Sequence, residues 1–325
     1  MKRILVTGGA GFIGSHLTEE LLRLGNHVTV VDDCSTGSLD NLSDVQQLTN
    51  LRFIRGSILN PQLLDELLPI TDHVYHLAAA VGVALIAQEQ IGTIRNNIEP
   101  TNLLLERLSL EINAGRDVKF FLASSSEVYG KNPKDTWDEE DDIVLGATTK
   151  PRWSYGASKA IDEFLSLAYW QQKKLPVVVG RFFNVIGLRQ TGSYGMVVPR
   201  FVDAAVANEP LIVHDDGRQT RCFADVRDIV AAIIELMACP SAEGQVFNIG
   251  SDQPISINDL ARKIIEVSSS QSPIKYQSYT EAYGLQFEDT RHRVPDLGKL
   301  RRTISHAPQF DLDSTLREIV ASHGH

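Results

Sequence analysis

A chain of 325 residues with 43% apolar and 22% charged side chains has ordinary globular composition and room for one large α/β unit or two lobes. Its net charge of −10, from 31 basic and 41 acidic residues, argues against non-specific binding to nucleic acid or anionic membranes. Three scattered cysteines, Cys34, Cys222 and Cys239, argue against a disulfide framework or a zinc site, and no apolar run approaches the ~18 residues of a membrane span, so no metal, no membrane and a reducing, cytoplasmic location are expected.

The first element read from the N-terminus is an apolar strand, Arg3 to Thr7, with no signal-peptide pattern before it. Gly8-Gly9-Ala10-Gly11-Phe12-Ile13-Gly14 follows at once, and helical spacing then runs from Phe12 to Leu24, stopping at Gly25-Asn26. Glycines between a strand and a helix are the context a dinucleotide-binding loop requires. Gly8 permits the tight turn, Gly11 lets backbone approach a pyrophosphate, Gly14 lets helix and strand pack closely, and the helix N-terminus offers N–H groups to phosphate. The next strand, from His27, ends at Asp32-Asp33, where a carboxylate meets the adenosine ribose. Asp33-Cys34-Ser35-Thr36-Gly37 holds no Arg or Lys, which favours NAD over NADP.

Strand-like runs continue at Leu51–Arg55, His73–Leu77, Lys119–Ala123 and Pro176–Arg181, with helix-like runs at Pro61–Leu68, Gly92–Leu110 and Tyr155–Lys173 between them. Such alternation predicts an α/β Rossmann fold, a doubly wound parallel sheet whose ligands bind at the carboxyl ends of its strands. Beyond residue 182 the pattern becomes irregular, and Val226–Met237 reads as a helix returning to the sheet. The expected division is a nucleotide-binding domain over 1–184, rejoined by 223–250, and a smaller, discontinuous substrate-binding lobe from 185–222 and 251–325.

The chemistry lies in two segments. Phe120 to Gly130 reads as a buried strand ending in hydroxyls and one carboxylate, Ser124-Ser125-Ser126-Glu127. Tyr155-Gly-Ala-Ser-Lys159 places a phenol and an ammonium one helical turn apart. A phenol with a pKa near 10 is a poor base at neutral pH, and a neighbouring ammonium with a positive nicotinamide lowers that value.

These segments, with His76-Leu-Ala-Ala-Ala80, Arg181-Phe-Phe-Asn-Val185 and Arg218-Gln-Thr-Arg-Cys-Phe-Ala-Asp225, resemble the extended short-chain dehydrogenase/reductase family, specifically its nucleotide-sugar epimerases, dehydratases and decarboxylases. The resemblance implies a tightly held NAD, a UDP- or dTDP-sugar substrate and oxidation of the sugar C4 hydroxyl. It implies that Ser125 and Tyr155 hold the C4 oxygen and that Lys159 also bonds the nicotinamide ribose. Phe12, Ile13, Ser35, Thr36, Gly37, Ser57, Ile58, Leu77, Ala78, Ala79 and Asn97 would border the cofactor, and Asn184 and Arg221 the substrate diphosphate. Arg221 can also be read as an ion pair with Asp225 or Asp228. Ser57 stands where the family usually has an Asp for adenine, Pro100 is expected to kink or restart the Gly92–Leu110 helix, and the apolar Val81–Gln90 loop should lie over the sugar. The helices Gly92–Leu110 and Tyr155–Lys173 form the family's dimer, so a homodimer is implied.

The reaction following C4 oxidation turns on Ser126-Glu127. The 4,6-dehydratases carry Asp-Glu there, and Ser126 disfavours dehydration. Hydroxyl-Ser-Glu-Val-Tyr-Gly, with Pro151-Arg152 before the Tyr and Arg293-Val-Pro-Asp296 near the end, resembles UDP-glucuronate decarboxylases. In that reading C4 oxidation makes a β-keto acid, Arg293 positions its carboxylate, and Glu127 orders a water or handles a proton. The plainer readings make Glu127 a partner of a nearby Lys or Arg, and Arg293 part of a solvated basic stretch. A UDP-hexose or UDP-uronate 4-epimerase is the alternative reaction, and a non-catalytic NAD-binding regulator a remote one.

Overall fold

The computed structural model describes residues 1–80, 90–192, 195–283, 288–305 and 307–323. In chain order the first half runs β1 (Arg3–Thr7), α1 (Phe12–Arg23), β2 (His27–Asp32), β3 (Leu51–Arg55), α2 (Pro61–Leu67), β4 (His73–His76), α3 (Gln90–Asn113), β5 (Lys119–Ser125), α4 (Ser154–Lys173) and β6 (Val177–Phe182). The second half runs β7 (Val185–Ile186), α5 (Val197–Val206), β8 (Leu211–His214), β9 (Thr220–Cys222), β10 (Ala224–Asp225), α6 (Val226–Ala238) and β11 (Gln245–Ile249). It ends with β12 (Pro254–Ser256), α7 (Ile257–Val267), β13 (Ile274–Gln277), α8 (Tyr279–Tyr283), β14 (His292–Arg293), α9 (Gly298–Thr303) and α10 (Leu312–Ser322).

Seven parallel strands form the central sheet in the order β11-β6-β5-β4-β1-β2-β3. Its central strands are buried on both faces, which is why Phe120-Phe121-Leu122 and Val177-Val178-Val179 are unbroken apolar runs. One face packs Leu17 and Leu21 of α1 and Ile229 and Ile233 of α6. The other packs Leu64 of α2, Leu104 and Leu108 of α3, and Leu165 and Leu167 of α4. The chain moves outward from β1 to β3, then returns to the opposite side of β1 as β4. The crevice between the carboxyl ends of β1 and β4 is therefore the switch point where such sheets bind ligands.

A second core holds Phe201 and Val202 of α5, Leu211 and Val213 of β8, Leu260 and Ile264 of α7, and Leu316 and Ile319 of α10. Here β9 lies between β12 and β14, and β13 pairs with β8. The register of β14 on β9 sets Arg293 beside Arg221. The β11 strand pairs with β6, so the chain rejoins the central sheet over Gln245–Ile249 before leaving it again.

Two boundaries differ from the sequence expectation in ways that matter. The α3 helix continues through Pro100 without a restart, although Pro100 has no N–H for the Asn96 carbonyl. The β5 strand reaches Ser125, then the chain turns into a short 3-10 helix, Ser126–Tyr129, instead of staying extended to Gly130. Ser125 Oγ accepts the Glu127 N–H at 3.2 Å and caps that turn. The turn swings Glu127 out of line with the strand. The expected Val81–Gln90 loop lies, apart from Gln90, outside the described residues.

Candidate active site

A cleft of about 920 Å³ runs from the glycine loop to the second lobe. At its first end Gly8 sits at φ +72°, a conformation glycine adopts without strain. A Cβ on Gly14 would run into the Gly8 carbonyl, so α1 starts against β1 only because that position is glycine. Asp32 closes the loop from below. Its Oδ2 accepts from Ala10 N at 2.9 Å and its Oδ1 from Cys34 N at 2.8 Å, while burial raises its carboxyl above the usual range. Asp33 likewise accepts from Ser35 N at 2.9 Å. Leu77 and Ala78 are fixed by hydrogen bonds from their N–H groups to the Thr7 carbonyl and hydroxyl. A bare backbone cradle at a helix N-terminus, a carboxylate beyond the second strand and a flat apolar wall suit a dinucleotide.

Gly8, Gly11, Phe12, Ile13, Gly14, Asp32, Asp33, Ser35, Thr36, Gly37, Ser57, Ile58, Leu77, Ala78 and Ala79 all line this cleft. Asn97 is not among its lining residues. It lies one layer behind and is fully buried. Its Oδ1 accepts from Ala80 N at 2.8 Å and its Nδ2 donates to Ser158 Oγ at 3.3 Å. Asn97 ties the end of the Leu77–Ala80 wall to α4.

At the middle of the cleft stand Ser125, Ser126, Glu127, Tyr155 and Lys159. Tyr155 is buried, and burial together with the Glu127 charge raises its phenol above the ordinary value, while the Ser125 hydrogen bond and Arg152 act the other way. Lys159 was expected to bring that value down. Its Nζ instead faces Asp162 Oδ2 at 3.4 Å, one turn further along α4, and both side chains are buried. Asp162 partly cancels the ammonium as seen from Tyr155, and itself adds to the upward push.

At the far end, residues from four parts of the chain converge. Arg152 Nη1 approaches Glu127 Oε2 at 2.7 Å and its Nη2 donates to Oε1 at 2.9 Å, a bidentate pair. Arg293 Nη1 approaches Oε1 at 2.8 Å. Burial alone would raise the Glu127 carboxyl, but these two guanidiniums overcome it and hold it well below the usual range. Glu127 is therefore an ion-paired carboxylate, the plainer of its two readings, and an ionised group can order a water but cannot donate a proton. Arg293 is likewise buried and paired instead of lying in a solvated stretch.

Arg221 is buried in an ion pair, though not with Asp225 or Asp228. Its Nη2 donates to Asp289 Oδ2 at 2.8 Å, which also accepts from Tyr279 OH at 2.8 Å. Asp225 instead caps α6 and pairs with Arg227, and Asp228 accepts the N–H groups of Gln309 and Phe310. Asn184 lines the cleft and donates one of its N–H groups to Cys222 O at 2.9 Å.

Arg152, Tyr279 and Asp289 line the cleft but were given no site role in sequence. The only signal for Arg152 was its place beside Pro151. Asp289 stands four residues before Arg293, a spacing that carries no chemistry until β14 joins β9. Among the described residues no group of three or more His, Cys, Asp or Glu is placed to hold a metal, and no helix is long and apolar enough to cross a membrane.

The family model described as GDP-mannose 4,6 dehydratase matches residues 5–319. The UDP-N-acetyl-alpha-D-glucosaminuronate decarboxylase of Bacillus cytotoxicus is 39% identical over 320 residues, covering 98% of this chain and 97% of that protein. The UDP-glucuronic acid decarboxylase 1 of Xenopus tropicalis is 32% identical over 324 residues, covering 98% of this chain and 71% of that one. A solved structure of the UDP-glucuronic acid 4-epimerase from Bacillus cereus, in complex with UDP-glucuronic acid and NAD, superposes with a TM-score of 0.86 at 27% identity, over 99% of this chain and 100% of that one. With its glycine loop, its Tyr155–Lys159 pair and this match along nearly its whole length, the chain belongs to the nucleotide-sugar epimerase/dehydratase family of the extended short-chain dehydrogenase/reductases.

Proposed function

We propose that the chain is an NAD-dependent decarboxylase of a UDP-linked hexuronic acid, with UDP-glucuronate as the first substrate to test and UDP-xylose or its 4-keto form as product. The observation that carries this reading is Arg293, brought by β14 to the Glu127 carboxylate beside Tyr155. Decarboxylases acting on two different UDP-hexuronates among the relatives support it.

NAD bound in the glycine-loop half of the cleft supplies a hydride acceptor for C4. Tyr155 takes the proton of the C4 hydroxyl as C4 becomes a ketone, and Ser125 holds the oxygen by its hydroxyl. Because burial keeps the Tyr155 phenol protonated in the protein alone, its ionisation depends on positive charge arriving with the cofactor, added to that of Lys159. The new ketone lies β to the C6 carboxylate, so the C5–C6 electron pair flows into it as carbon dioxide leaves. The enolate then regains a proton at C5, leaving the 4-keto pentose. UDP-xylose would follow where the hydride returns to C4 and Tyr155 gives back the proton, and otherwise NADH is left behind. Arg293 holds the carboxylate before it leaves, and ionised Glu127 orders the water that delivers the proton. Asn184 and Arg221 contact the diphosphate.

A homodimer is supported by apolar side chains on two adjoining helices: Ile91, Ile94 and Leu110 on α3, and Ile161 and Phe164 on α4, all exposed. Three unpaired cysteines support a reducing, cytoplasmic location.

Incubation with NAD and UDP-glucuronate, read by mass spectrometry of the sugar nucleotide, tests the reaction. A UDP-pentose lighter by one carbon dioxide is expected, or its 4-keto form, lighter by two further hydrogens with NADH left behind. Unchanged mass with UDP-galacturonate appearing on chromatography would replace decarboxylation by 4-epimerisation, the reaction of the Bacillus cereus neighbour.

A further inference from the structure

Among the described residues, the charged groups at the far end of the cleft do not balance. Arg152, Arg221 and Arg293 supply three positive charges, and Glu127 and Asp289 supply two negative ones. All five line the same cleft. Arg152 and Arg293 are only 7% exposed, and the Nε of each is a buried donor with no partner among the described residues. The nearest lysines do not alter the sum, since Lys159 faces Asp162 and Lys131 faces Glu288. An uncompensated positive charge with free donors, shut away from water, is costly unless an anion completes it.

The position of the excess narrows the choice of anion. Arg221 already bonds Asp289, which Tyr279 also holds. Arg152 is the guanidinium whose charge reaches the Tyr155 phenol. It comes from the turn Pro151–Trp153 that leads directly into α4, so it is fixed to the same element as Tyr155. The Trp153 ring backs it, with Arg152 Cζ 5.5 Å from the ring centre, and the Trp153 indole N–H donates to Glu288 Oε2 at 3.0 Å. In a hexuronate whose C4 oxygen is on Tyr155, the C6 carboxyl carbon is two bonds from C4, so an arginine near that phenol is the one to meet it.

We infer that Arg152 is the residue that selects an acidic sugar: with Arg293 it receives the C6 carboxylate of the substrate, while Glu127 holds its guanidinium in register as a built-in anionic partner. This rests on the proposed uronate reading and deepens it. Arg152 is a binding residue whose contact is absent with any neutral hexose, so its effect falls on the choice between acidic and neutral sugars.

The test measures binding by calorimetry to the NAD-loaded Tyr155→Phe protein, which cannot consume its ligand. UDP-glucuronate and UDP-glucose are compared. A charge-assisted fork should favour the acid by about ten- to a hundredfold. Adding Arg152→Met is expected to cut that preference about tenfold, Arg293 keeping what remains, and to leave UDP-glucose binding in place. Because Arg152→Met alone strands Glu127, the pair Arg152→Met with Glu127→Gln is measured as well. It keeps the net charge of the cluster, so loss of preference there reports the missing fork and not a changed field. If the acid stays preferred to the same degree in these Arg152 variants, the inference is overturned and the uronate reading stands. If the Tyr155→Phe protein shows no preference at all, the uronate reading itself fails and takes the inference with it.

Discussion

Glu127→Gln separates the structural duty of this carboxylate from its part in the chemistry. Glu127 receives three N–H groups at 2.7 to 2.9 Å from two buried guanidiniums. The amide keeps the shape but removes the charge, and turns an NH2 toward a cation. Removing one partner of a buried ion pair costs about 3–5 kcal/mol, because the other is left charged and unpaired. With an unfolding entropy of roughly 2.1 cal/mol/K per residue, a chain this long should lose about 4–7 °C in Tm. Scanning calorimetry without ligand measures the loss. UDP-glucuronate should then raise the Tm of the variant more than that of the wild type, because the ligand carboxylate replaces the missing charge, and UDP-glucose should not. Kinetically, C4 oxidation should persist as NADH absorbance while carbon dioxide release slows. The Glu127 charge also raises the Tyr155 phenol, so the acid limb of hydride transfer should move to lower pH in the variant. A Tm within about 1 °C of wild type would show that Glu127 is not the counter-ion of Arg152 and Arg293. Equal loss of C4 oxidation and carbon dioxide release would remove it from the second step.

His76 is fully buried between the Thr7 and Thr101 hydroxyls, and burial, aided by the Lys159 charge, lowers its pKa from 6.5 to about 3. A depressed histidine contributes stability that is complete above pH 6.5 and is lost as pH falls toward 3, at about 1.4 kcal/mol per pH unit. Asp32, Glu139 and Asp162 have raised values and oppose that trend, so the test is the difference between proteins. His76→Gln should flatten the pH dependence of the unfolding free energy from urea melts between pH 6.5 and 5 by up to that amount per pH unit, and unchanged slopes would contradict it. Phe164, 68% exposed on α4, offers roughly 140 Å² to a partner copy, worth about 3 kcal/mol per protomer. Phe164→Glu should therefore give a monomer by sedimentation velocity where the wild type gives a dimer, and a wild-type monomer at micromolar concentration would rule the dimer out.

The two halves of the cleft were not equally legible in the sequence, and the reason is physical. The cofactor half is made by one strand-loop-helix unit and the strand after it. Gly8, Gly14 and Asp32 act through backbone geometry within about thirty positions, so spacing alone predicted where they would meet. Tyr155 and Lys159 share a helix face for the same reason. Even there, spacing failed one layer out. Asp162 follows Lys159 by three positions on the same helix, and its claim on the ammonium was readable but went unread. Asn97, placed at the cofactor by resemblance, bonds Ala80 and Ser158, two partners that spacing did not show.

The substrate half has no such local grammar. Arg152, Glu127, Asp289 and Arg293 meet only because β5 stops at Ser125 and turns, and because β14 joins β9 in a register that sets Arg293 against Arg221. The segment carrying Asp289 and Arg293 is tied at both ends, by Glu288 to Trp153 and Lys131 and by Asp296 N–H to the Trp137 carbonyl at 2.7 Å. Those ties decide which acid reaches which arginine. Asp225 and Asp228 were nearer in sequence to Arg221, but they were already spent on α6 and its neighbours. The shared chemistry at C4 is therefore written in contiguous motifs, while the step that follows is written in long-range pairings. The experiments that discriminate decarboxylation from epimerisation thus belong on Glu127, Arg152 and Arg293.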